Sequence, residues 1–457
     1  ARVSTCHEAL QPTADRLVAR LREVTGFAWK QVADAPEVEL RLCLDSGLER
    51  EGSTLSVTKS GVAIFGGDAP GVERAVQTFW QLLPVSPPRG ALQVGLGEIR
   101  DAPRFVWRGL MVDLARHFFG LEELKKLVRA MAAYKLNRLH LHLTDDQGWR
   151  LEIRSRPSLT VIGGAGAVGG APGGFLTQAE YSELVAYAAG FFITVVPEID
   201  LPGHVNAALA SVPELNCDGV APAPYTGTMV GFSSLCASAV ATQPFVHDVI
   251  SEVAALTPGA WIHVGGDEAK MTTADDYLAL TSMVRAEVAD AGKQLIGWEE
   301  LARADAGIGT IVQHWLDPSP ASAAAARGAQ VIVSPAKRAY LDMQYSLNVP
   351  SPRVGTFWAG FVEVSDAYGW DPGAWLADGG VRESQVLGVE GAAWTETIAT
   401  EEQLEVMVFP RVVALAELGW SAQRNPRTFF DRLGRHGPRL RQLGVGFFSS
   451  TQVSWVE

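Results

Sequence analysis

The sequence predicts an α/β protein: a (β/α)8 TIM barrel in residues 101–457, preceded by a small α/β domain in residues 1–100. The chain has 457 residues, enough for a barrel of about 250 residues and a further domain. Hydrophobic residues make up 47% and charged residues 19%, so the chain can bury a large core. After Arg104, apolar segments alternate with amphipathic ones, as strands alternate with helices in this fold class.

The small domain is predicted to contain two helices and at least three strands. Apolar residues within 13–24 have helical spacing, and residues 69–83 are predicted as the second helix. Residues 38–44 alternate between apolar and polar, as a half-buried strand does, and residues 55–65 are predicted as a hairpin. Prolines and glycines concentrate in residues 84–104, which favours a domain boundary there.

Eight strands are predicted for the barrel, at 110–114, 138–143, 193–197, 261–264, 295–298, 311–314, 330–333 and 386–389. The helices predicted between several of them are 121–134, 178–189, 274–291 and 319–327. Eight such alternations over about 350 residues fit a barrel with insertions. A doubly wound open sheet is the alternative, but it more often divides into two nucleotide-binding halves.

Charge and hydropathy exclude several classes of partner. The net charge is −13, which argues against a nucleic acid or an anionic membrane, because both require a basic face. The longest apolar run, residues 184–196, is too short to cross a bilayer. No transmembrane helix is therefore predicted, and no motif in the sequence calls for a cofactor.

The four cysteines are Cys6, Cys43, Cys217 and Cys236. None has the spacing of a zinc or thioredoxin-type motif. A disulfide between Cys217 and Cys236 is the favoured pairing because both lie in a loop-like stretch, whereas buried free thiols are an equal alternative for Cys6 and Cys43. The first residues show no basic start followed by an apolar stretch, so no signal peptide is visible.

The ends of the predicted strands carry carboxylates and tryptophans, which in a barrel gather on one rim. Trp298, Trp315 and Trp394 each lie within two residues of an acidic or histidine side chain. Sugars present apolar C–H faces that pack on aromatic rings, and hydroxyls that bond to carboxylates and guanidinium groups. This combination favours a carbohydrate site.

The adjacent pair Asp267-Glu268 is the strongest catalytic candidate. It follows an apolar strand and two glycines, which allow close approach of backbone and substrate. Two carboxylates in one pocket shift each other's pKa values apart, so one can stay protonated near neutral pH. A solvated acidic dipeptide is the alternative interpretation.

Two other functions must be weighed. His140 and His142 face the same side of a strand and, with His204 and His263, could form the metal site of a metal-dependent barrel hydrolase. Because His140 and His142 precede the strand end, side chains packed inside the barrel are favoured over ligands. A non-catalytic sugar-binding protein would keep the tryptophans without needing Asp267 and Glu268.

Several motifs, in order, resemble glycoside hydrolase family 20, the β-N-acetylhexosaminidases, which hydrolyse terminal N-acetylhexosamine by substrate-assisted retention. The motifs are Asp113-Leu114-Ala115-Arg116-His117-Phe118, His140-Leu141-His142-Leu143-Thr144-Asp145-Asp146-Gln147-Gly148-Trp149-Arg150, Pro197-Glu198-Ile199-Asp200-Leu201-Pro202-Gly203-His204 and His263-Val264-Gly265-Gly266-Asp267-Glu268. They run from about Arg104 to Trp420, and the first domain resembles the small domain that commonly precedes this family's barrel.

The resemblance implies a role for each candidate site residue. Glu268 would be the general acid and base, Asp267 would hold the acetamido N–H, and Tyr340 would donate to the acetamido oxygen. The implied sugar-binding residues are Arg116, Asp145, Asp342 and Glu396 for outer hydroxyls, Trp298, Trp315 and Trp394 for the acetamido pocket and sugar face, His204 beside the acid, and Trp358 for a further subsite. No metal or cofactor is implied.

The expected substrates are oligosaccharides or glycans that end in N-acetylhexosamine, cleaved from the non-reducing end. The preference between gluco and galacto epimers, the choice between chitin fragments and glycoprotein glycans, and the oligomeric state stay open. Arginine far outnumbers lysine, which is typical of a GC-rich bacterial genome. Secretion is an expectation from the resemblance and the possible disulfide.

Overall fold

The computed structural model describes residues 1–35, 37–85, 93–304, 306–347 and 354–456. It contains a six-stranded sheet, in the order β2-β1-β3-β5-β4-β6, and a closed barrel of eight strands, in the order β11-β12-β13-β14-β15-β16-β7-β8. All neighbouring strands of the barrel pair in parallel. The predicted fold class, a (β/α)8 barrel preceded by a small domain that mixes helices with a sheet, is confirmed.

The strands have the following bounds. The sheet contains β1 (Arg2–Thr5), β2 (Lys30–Val32), β3 (Leu40–Leu44), β4 (Ser53–Thr58), β5 (Gly61–Gly66) and β6 (Gly97–Asp101). The barrel begins with β7 (Trp107–Asp113) and β8 (Arg138–His142), and a two-stranded hairpin, β9 (Thr144–Asp145) and β10 (Gly148–Trp149), follows. The remaining barrel strands are β11 (Thr194–Glu198), β12 (Trp261–His263), β13 (Gln294–Trp298), β14 (Ile311–His314), β15 (Gln330–Val333) and β16 (Val386–Ala393).

The helices lie between these strands and after the last one. Those of the small domain are Gln11–Thr25 and Ala69–Leu82. Those that follow β7 are Leu121–Ala133, Ser158–Val161, Gln178–Gly190, Asn206–Ser211, Thr242–Leu256, Ala274–Asp290, Pro318–Ala326, Ala336–Ala339, Val364–Tyr368, Glu401–Val408, Arg411–Trp420, Pro426–Gly434 and Gly437–Gln442. The four barrel helices predicted from the sequence agree with these bounds to within a residue.

The small domain contains three strands that the sequence did not predict. β1 and β2 are only four and three residues long, and β6 is an edge strand whose residues are mostly exposed, so none shows a clear apolar pattern. β6 also lies inside the proline-rich stretch 84–104, of which residues 86–92 fall outside the described residues. The core of the domain, which includes Leu17, Ile64 and Phe79, packs its two helices on the sheet.

The barrel interior contains buried charge as well as apolar side chains. Glu198, at the end of β11, accepts a hydrogen bond from Trp298 Nε1 at 2.8 Å and lies 2.6 Å from His142 Nδ1 and 2.9 Å from His263 Nδ1. His140 Nδ1 lies 2.8 Å from a carboxylate oxygen of Glu390 on β16. As predicted, His140 and His142 point into the packed interior, where both nitrogens of His142 and Nδ1 of His140 lie within hydrogen-bond distance of carboxylates.

Both cysteine pairs are joined in the structure. Cys217 bonds to Cys236, which confirms the predicted pairing. Cys6 at the end of β1 bonds to Cys43 of β3, so the alternative of free thiols at these two positions is wrong. The two cysteines meet because β1 and β3 are neighbours in the sheet, and β1 was not predicted. In the part of the chain that is described, no helix is long and apolar enough to cross a membrane.

Candidate active site

A cavity of about 450 Å³ opens at the carboxyl ends of the barrel strands. The residues that line it come from the loops after six of the eight barrel strands: Arg116, His204, Thr228, Val230, Asp267, Glu268, Trp315, Leu316, Tyr340, Asp342, Thr356, Trp358, Trp394, Glu396 and Thr397. All the predicted site residues are in this set except Asp145 and Trp298. Catalytic groups of barrel enzymes lie at this end of the strands.

Two glycines shape the turn that carries Asp267 and Glu268 from β12 into the cavity. Gly265 has φ +63°, and a Cβ atom there would lie 1.7 Å from Asp200 Oδ1, so no side chain fits. The same carboxylate oxygen accepts a hydrogen bond from the Gly266 amide at 3.1 Å. Glu268 itself has φ +43°, a conformation that costs energy for a non-glycine residue and is common at functional sites.

The two carboxyl groups differ in pKa, as predicted, but it is Asp267 that is raised. Burial raises the pKa of Asp267 to about 6, although the nearby His204 lowers it. Burial also acts to raise the pKa of Glu268, but the nearby His204 and Lys270 cations outweigh it and lower the pKa. Glu268 is more exposed than Asp267, so solvent and the Lys270 ammonium at 3.1 Å stabilise its charged form.

His204 links the carboxylate pair to Asp145. Its Nδ1 lies 3.0 Å from Asp145 Oδ1, and its Nε2 lies 3.6 Å from Asp267 Oδ2 and 3.7 Å from Glu268 Oε2. Burial lowers the pKa of His204, but Asp145 and Asp267 more than offset this and raise it well above its ordinary value. His204 is therefore an imidazolium that donates to Asp145 on one side and faces Asp267 and Glu268 on the other.

Asp145, for which the resemblance implied contact with a sugar hydroxyl, is not among the residues that line the cavity. It is buried behind the cavity, where Oδ2 lies 2.9 Å from Arg116 Nη2 and 2.8 Å from His142 Nε2. Its Oδ1 accepts from His204 and from the Asp146 amide. Because these donors contact both oxygens, Asp145 orients Arg116 and His204.

Arg116, Asp342 and Glu396 close one side of the cavity. Arg116 also lies 3.4 Å from Asp113 Oδ2, and its guanidinium centre is 5.0 Å from the Trp394 ring. Burial, with a contribution from Glu396, raises the pKa of Asp342 to about 8. Asp342 is therefore mostly a neutral carboxyl at pH 7, able to donate one hydrogen bond and accept another.

Aromatic rings form the other walls. Trp315 and Tyr340 are parallel, with ring centres 6.2 Å apart, and Trp358 stands edge-on to both at 6.0 and 5.9 Å. Trp394 lies 6.1 Å from Tyr340. Trp298 is fully buried with its ring centre 5.7 Å from Trp394, so it supports this wall from behind and is not among the lining residues.

Four buried polar atoms of the lining residues have no hydrogen-bond partner within the described parts of the chain. They are Asp267 Oδ1, Asp342 Oδ1, His204 Nε2 and Trp394 Nε1. Buried polar atoms are nearly always hydrogen-bonded, and leaving one unsatisfied costs about 1–3 kcal/mol. Donors and acceptors on aromatic and acidic walls are suited to a ligand that carries an amide and several hydroxyls.

Some lining residues were not found from the sequence. Thr228 and Val230 belong to the loop that the Cys217–Cys236 disulfide closes, and Gln147 Nε2 ties this loop to the barrel through a 2.9 Å bond to the Gly227 carbonyl. A threonine or a valine in a long loop belongs to no sequence pattern that marks it as a site residue. Lys270 was also missed, although its position two residues after Glu268 could have indicated it.

The histidine cluster considered for a metal is built into the barrel. His140, Glu198 and His263 bring ligand-type atoms within 4.8 Å of one another. Glu198 accepts from Trp298 Nε1 with one oxygen and lies 2.6 Å from His142 Nδ1 with the other, so both oxygens already have partners within the protein. The cluster lies below the lining residues of the cavity and holds Trp298, a structural role that requires no ion.

Comparison with known proteins matches both parts of the chain to the same family. The sequence profile "Glycosyl hydrolase family 20, catalytic domain" matches residues 105–423, and "Glycosyl hydrolase family 20, domain 2" matches residues 1–102. A β-N-acetylhexosaminidase of Cellulomonas fimi is 44% identical over 423 residues, which cover 92% of this chain and 84% of that protein.

Solved structures agree with this result. A mutant Streptomyces plicatus β-hexosaminidase in complex with the product GlcNAc superposes with a TM-score of 0.95 at 44% identity, covering all of this chain and 93% of that one. The exo-β-N-acetylglucosaminidase of Vibrio harveyi in complex with N-acetylglucosamine superposes with a TM-score of 0.85 at 28% identity, covering 98% and 74%. The sequence match over both domains and the shared architecture together show that this chain belongs to glycosyl hydrolase family 20.

Proposed function

We propose that the protein removes terminal β-linked N-acetylglucosamine or N-acetylgalactosamine from the non-reducing ends of glycans, with retention of configuration. The observation that carries this proposal is the pair Asp267-Glu268, which faces one cavity with different pKa values and different surroundings. Family membership supports a glycoside hydrolase, and its substrate-assisted mechanism is one of the exceptions to the scheme with two catalytic carboxylates.

In the first step, the 2-acetamido oxygen of the substrate attacks the anomeric carbon. Glu268 donates its proton to the glycosidic oxygen as the bond to the leaving group breaks. Binding of a sugar expels water around Glu268. Loss of this water raises the pKa of Glu268, so that its carboxyl group is protonated and can act as the acid. The product of this step is a cyclic oxazolinium ion, and no bond forms between sugar and protein.

Asp267 and Tyr340 hold the acetamido group for this attack. Asp267 accepts the amide N–H and, once ionised, stabilises the positive charge of the oxazolinium ring. Tyr340 donates its hydroxyl to the acetamido oxygen; burial raises its pKa well above the ordinary value, so it stays protonated. In the second step Glu268 removes a proton from water, which attacks the anomeric carbon and opens the ring.

The closed far side of the cavity restricts cleavage to the terminal sugar, which makes the enzyme exo-acting. Arg116, Asp342 and Glu396 line one side of it and bond to the outer hydroxyls of a single sugar, so no further sugar extends past them. Trp315 and Trp394 pack on the sugar and the acetamido methyl, and the half-exposed Trp358 supports the next unit of the substrate.

The location and the natural substrate belong to the same proposal. Two disulfides are consistent with an oxidising compartment, and we propose that the enzyme is secreted. Chitin fragments and glycoprotein glycans both present the required terminal sugar; we propose chitin fragments as the substrate. A panel of N-acetylated disaccharides of gluco and galacto configuration, assayed by product release, tests the substrate class.

We also propose residues 1–100 and 101–457 as the two domains. The six-stranded sheet uses residues up to Asp101 and the barrel starts at Trp107, which supports a boundary at this point. Limited proteolysis followed by mass spectrometry tests it, because cleavage should concentrate near the boundary if the two units are separately folded.

Turnover of a chromogenic aryl N-acetylglucosaminide, measured with metal analysis of the same sample, tests the function. The proposal predicts turnover that a chelator leaves unchanged. Activity that disappears on chelation and returns with a divalent ion would favour the metal-dependent hydrolase, and sugar binding without turnover would favour the non-catalytic protein.

A further inference from the structure

A second cavity, of about 370 Å³, lies at the end of the barrel opposite the candidate active site. Arg138, Thr194 and Trp261 line it, and they are the first residues of the neighbouring strands β8, β11 and β12. Arg50 and Glu51 reach it from the small domain. The cavity therefore lies between the two domains and is separate from the catalytic chemistry at the other strand ends.

Positive charge around this cavity exceeds negative charge. Among the described lining residues, Glu51 is the single carboxylate, and its Oε2 accepts from Arg74 Nε at 3.2 Å and from Arg108 Nη2 at 2.5 Å. Its Oε1 accepts from an amide, Asn137 Nδ2, at 3.1 Å. Within the described residues Glu51 forms its ion pairs with Arg74 and Arg108, and none with Arg50 or Arg138.

Arg138 is held in place without a carboxylate partner anywhere in the described ranges. Its guanidinium centre lies 5.2 Å from the Trp107 ring and 4.8 Å from the Trp261 ring. Nη1 donates to the Asn137 carbonyl at 2.8 Å, while the buried Nε has no hydrogen-bond partner among the residues described. Burial and the neighbouring Arg108 lower the pKa of Arg138 to about 10, so the group is still charged at neutral pH.

We propose that this cavity binds a small oxyanion, a phosphate or carboxylate group of a small molecule, between Arg138 and Arg50. A guanidinium presents a planar set of donors that matches the oxygens of either group. The aromatic contacts fix the orientation of Arg138 and leave it without an ion-pair partner in the described residues. A bound anion would supply that partner. Because Arg50 belongs to the small domain and Arg138 to the barrel, the bound anion would also join the two domains.

Thermal unfolding of the full chain in inorganic phosphate, acetate or chloride, at matched ionic strength and pH, tests the proposal. A ligand present at roughly 100 times its Kd should raise the Tm of a chain of this size by about 2–3 °C. The variants are Arg138→Gln and Arg50→Gln, with Arg154→Gln as a control that removes one charge at an exposed position away from the cavity. Arg50 is exposed, so its variant reports binding even where Arg138→Gln fails to fold.

The proposal expects phosphate, acetate or both to raise the Tm above its value in chloride for the wild type and for Arg154→Gln. The rise should shrink in Arg50→Gln and disappear in Arg138→Gln. A rise with phosphate alone assigns the site to phosphate groups, and a rise with acetate alone assigns it to carboxylates. Equal Tm values in all three salts, or an undiminished rise in Arg50→Gln, would overturn the proposal. Turnover of an aryl N-acetylglucosaminide by Arg50→Gln should match the wild type, so the result is independent of the proposed catalytic function.

Discussion

Replacing Glu268 by glutamine keeps the size of the side chain and removes the proton that it transfers. In the structure Oε1 lies 3.1 Å from Lys270 Nζ and Oε2 lies 3.7 Å from His204 Nε2. The amide oxygen of glutamine can keep the shorter contact with Lys270, and its NH2 group, which is a donor, gives up only the longer one. The fold and the acetamido pocket should therefore be unchanged. The loss should be confined to steps that need proton transfer.

The size of that loss depends on the leaving group. A sugar alcohol must be protonated as it departs, so kcat/KM for a chitobiose-type disaccharide should fall by roughly 10²–10⁴, the usual contribution of a general acid. An acidic nitrophenol departs without protonation, so kcat/KM for its N-acetylglucosaminide should fall by less than about tenfold. We choose kcat/KM because it reports steps up to the first irreversible bond cleavage, whereas kcat also includes the later attack by water.

The assay compares both substrates in the wild type, in Glu268→Gln and in Lys270→Met. Lys270→Met is the matched control, because it changes the charge beside the same carboxylate and leaves the transferable proton in place. Equal falls in kcat/KM on the two substrates in Glu268→Gln would mean that this residue is not the acid.

The remaining predictions concern groups around the same cavity. Lys270→Met should shift the alkaline limb of the kcat/KM profile to higher pH, because the ammonium holds the pKa of Glu268 down; an unchanged limb would show that the ion pair does not act in solution. Selective reduction of the Cys217–Cys236 disulfide should lower kcat/KM, since it frees the loop that lines the cavity, and a reduced enzyme of full activity would contradict this. Burial raises the pKa of Asp342 to about 8 in the folded protein, whereas in the unfolded chain the group ionises at about pH 4. The folded protein is therefore not penalised by Asp342 below about pH 4, and it loses stability as the pH rises from there to 8. Asp342→Asn should therefore gain Tm relative to the wild type between pH 5 and pH 8, and a constant Tm difference would show that Asp342 does not titrate there.

The barrel could be predicted from the sequence because its strands are short runs rich in apolar residues and are separated by helices. All eight predicted strands overlap the observed ones, and the largest difference is at β16, which continues four residues past the predicted end, to Ala393. In the small domain, β1 and β2 were missed because strands of three or four residues carry no measurable periodicity. The Cys6–Cys43 disulfide was consequently left open.

The sequence predicted which residues belong to the site better than it predicted how they are arranged. Motif order placed Asp267, Glu268 and Tyr340 on one rim, and the structure brings them to one cavity. Sequence could not show that Asp145 is buried behind the lining residues, because its position depends on three donors supplied by separate segments of the chain. Nor could it show which carboxylate has the raised pKa, since burial and the position of Lys270 decide this only in the folded chain.

The identity of the nucleophile is the central claim, and one comparison of substrates tests it most directly. The kcat of the wild type is measured on a nitrophenyl β-glycoside that carries a 2-acetamido group and on its counterpart with a 2-hydroxyl, with the Kd of the second sugar determined separately. An intramolecular nucleophile held in place can contribute about 7–11 kcal/mol, so kcat should fall by several powers of ten on the 2-hydroxyl sugar while binding persists. A kcat within tenfold of the acetamido substrate, accompanied by a covalent glycosyl ester on Asp267 detected by mass spectrometry, would contradict substrate-assisted catalysis.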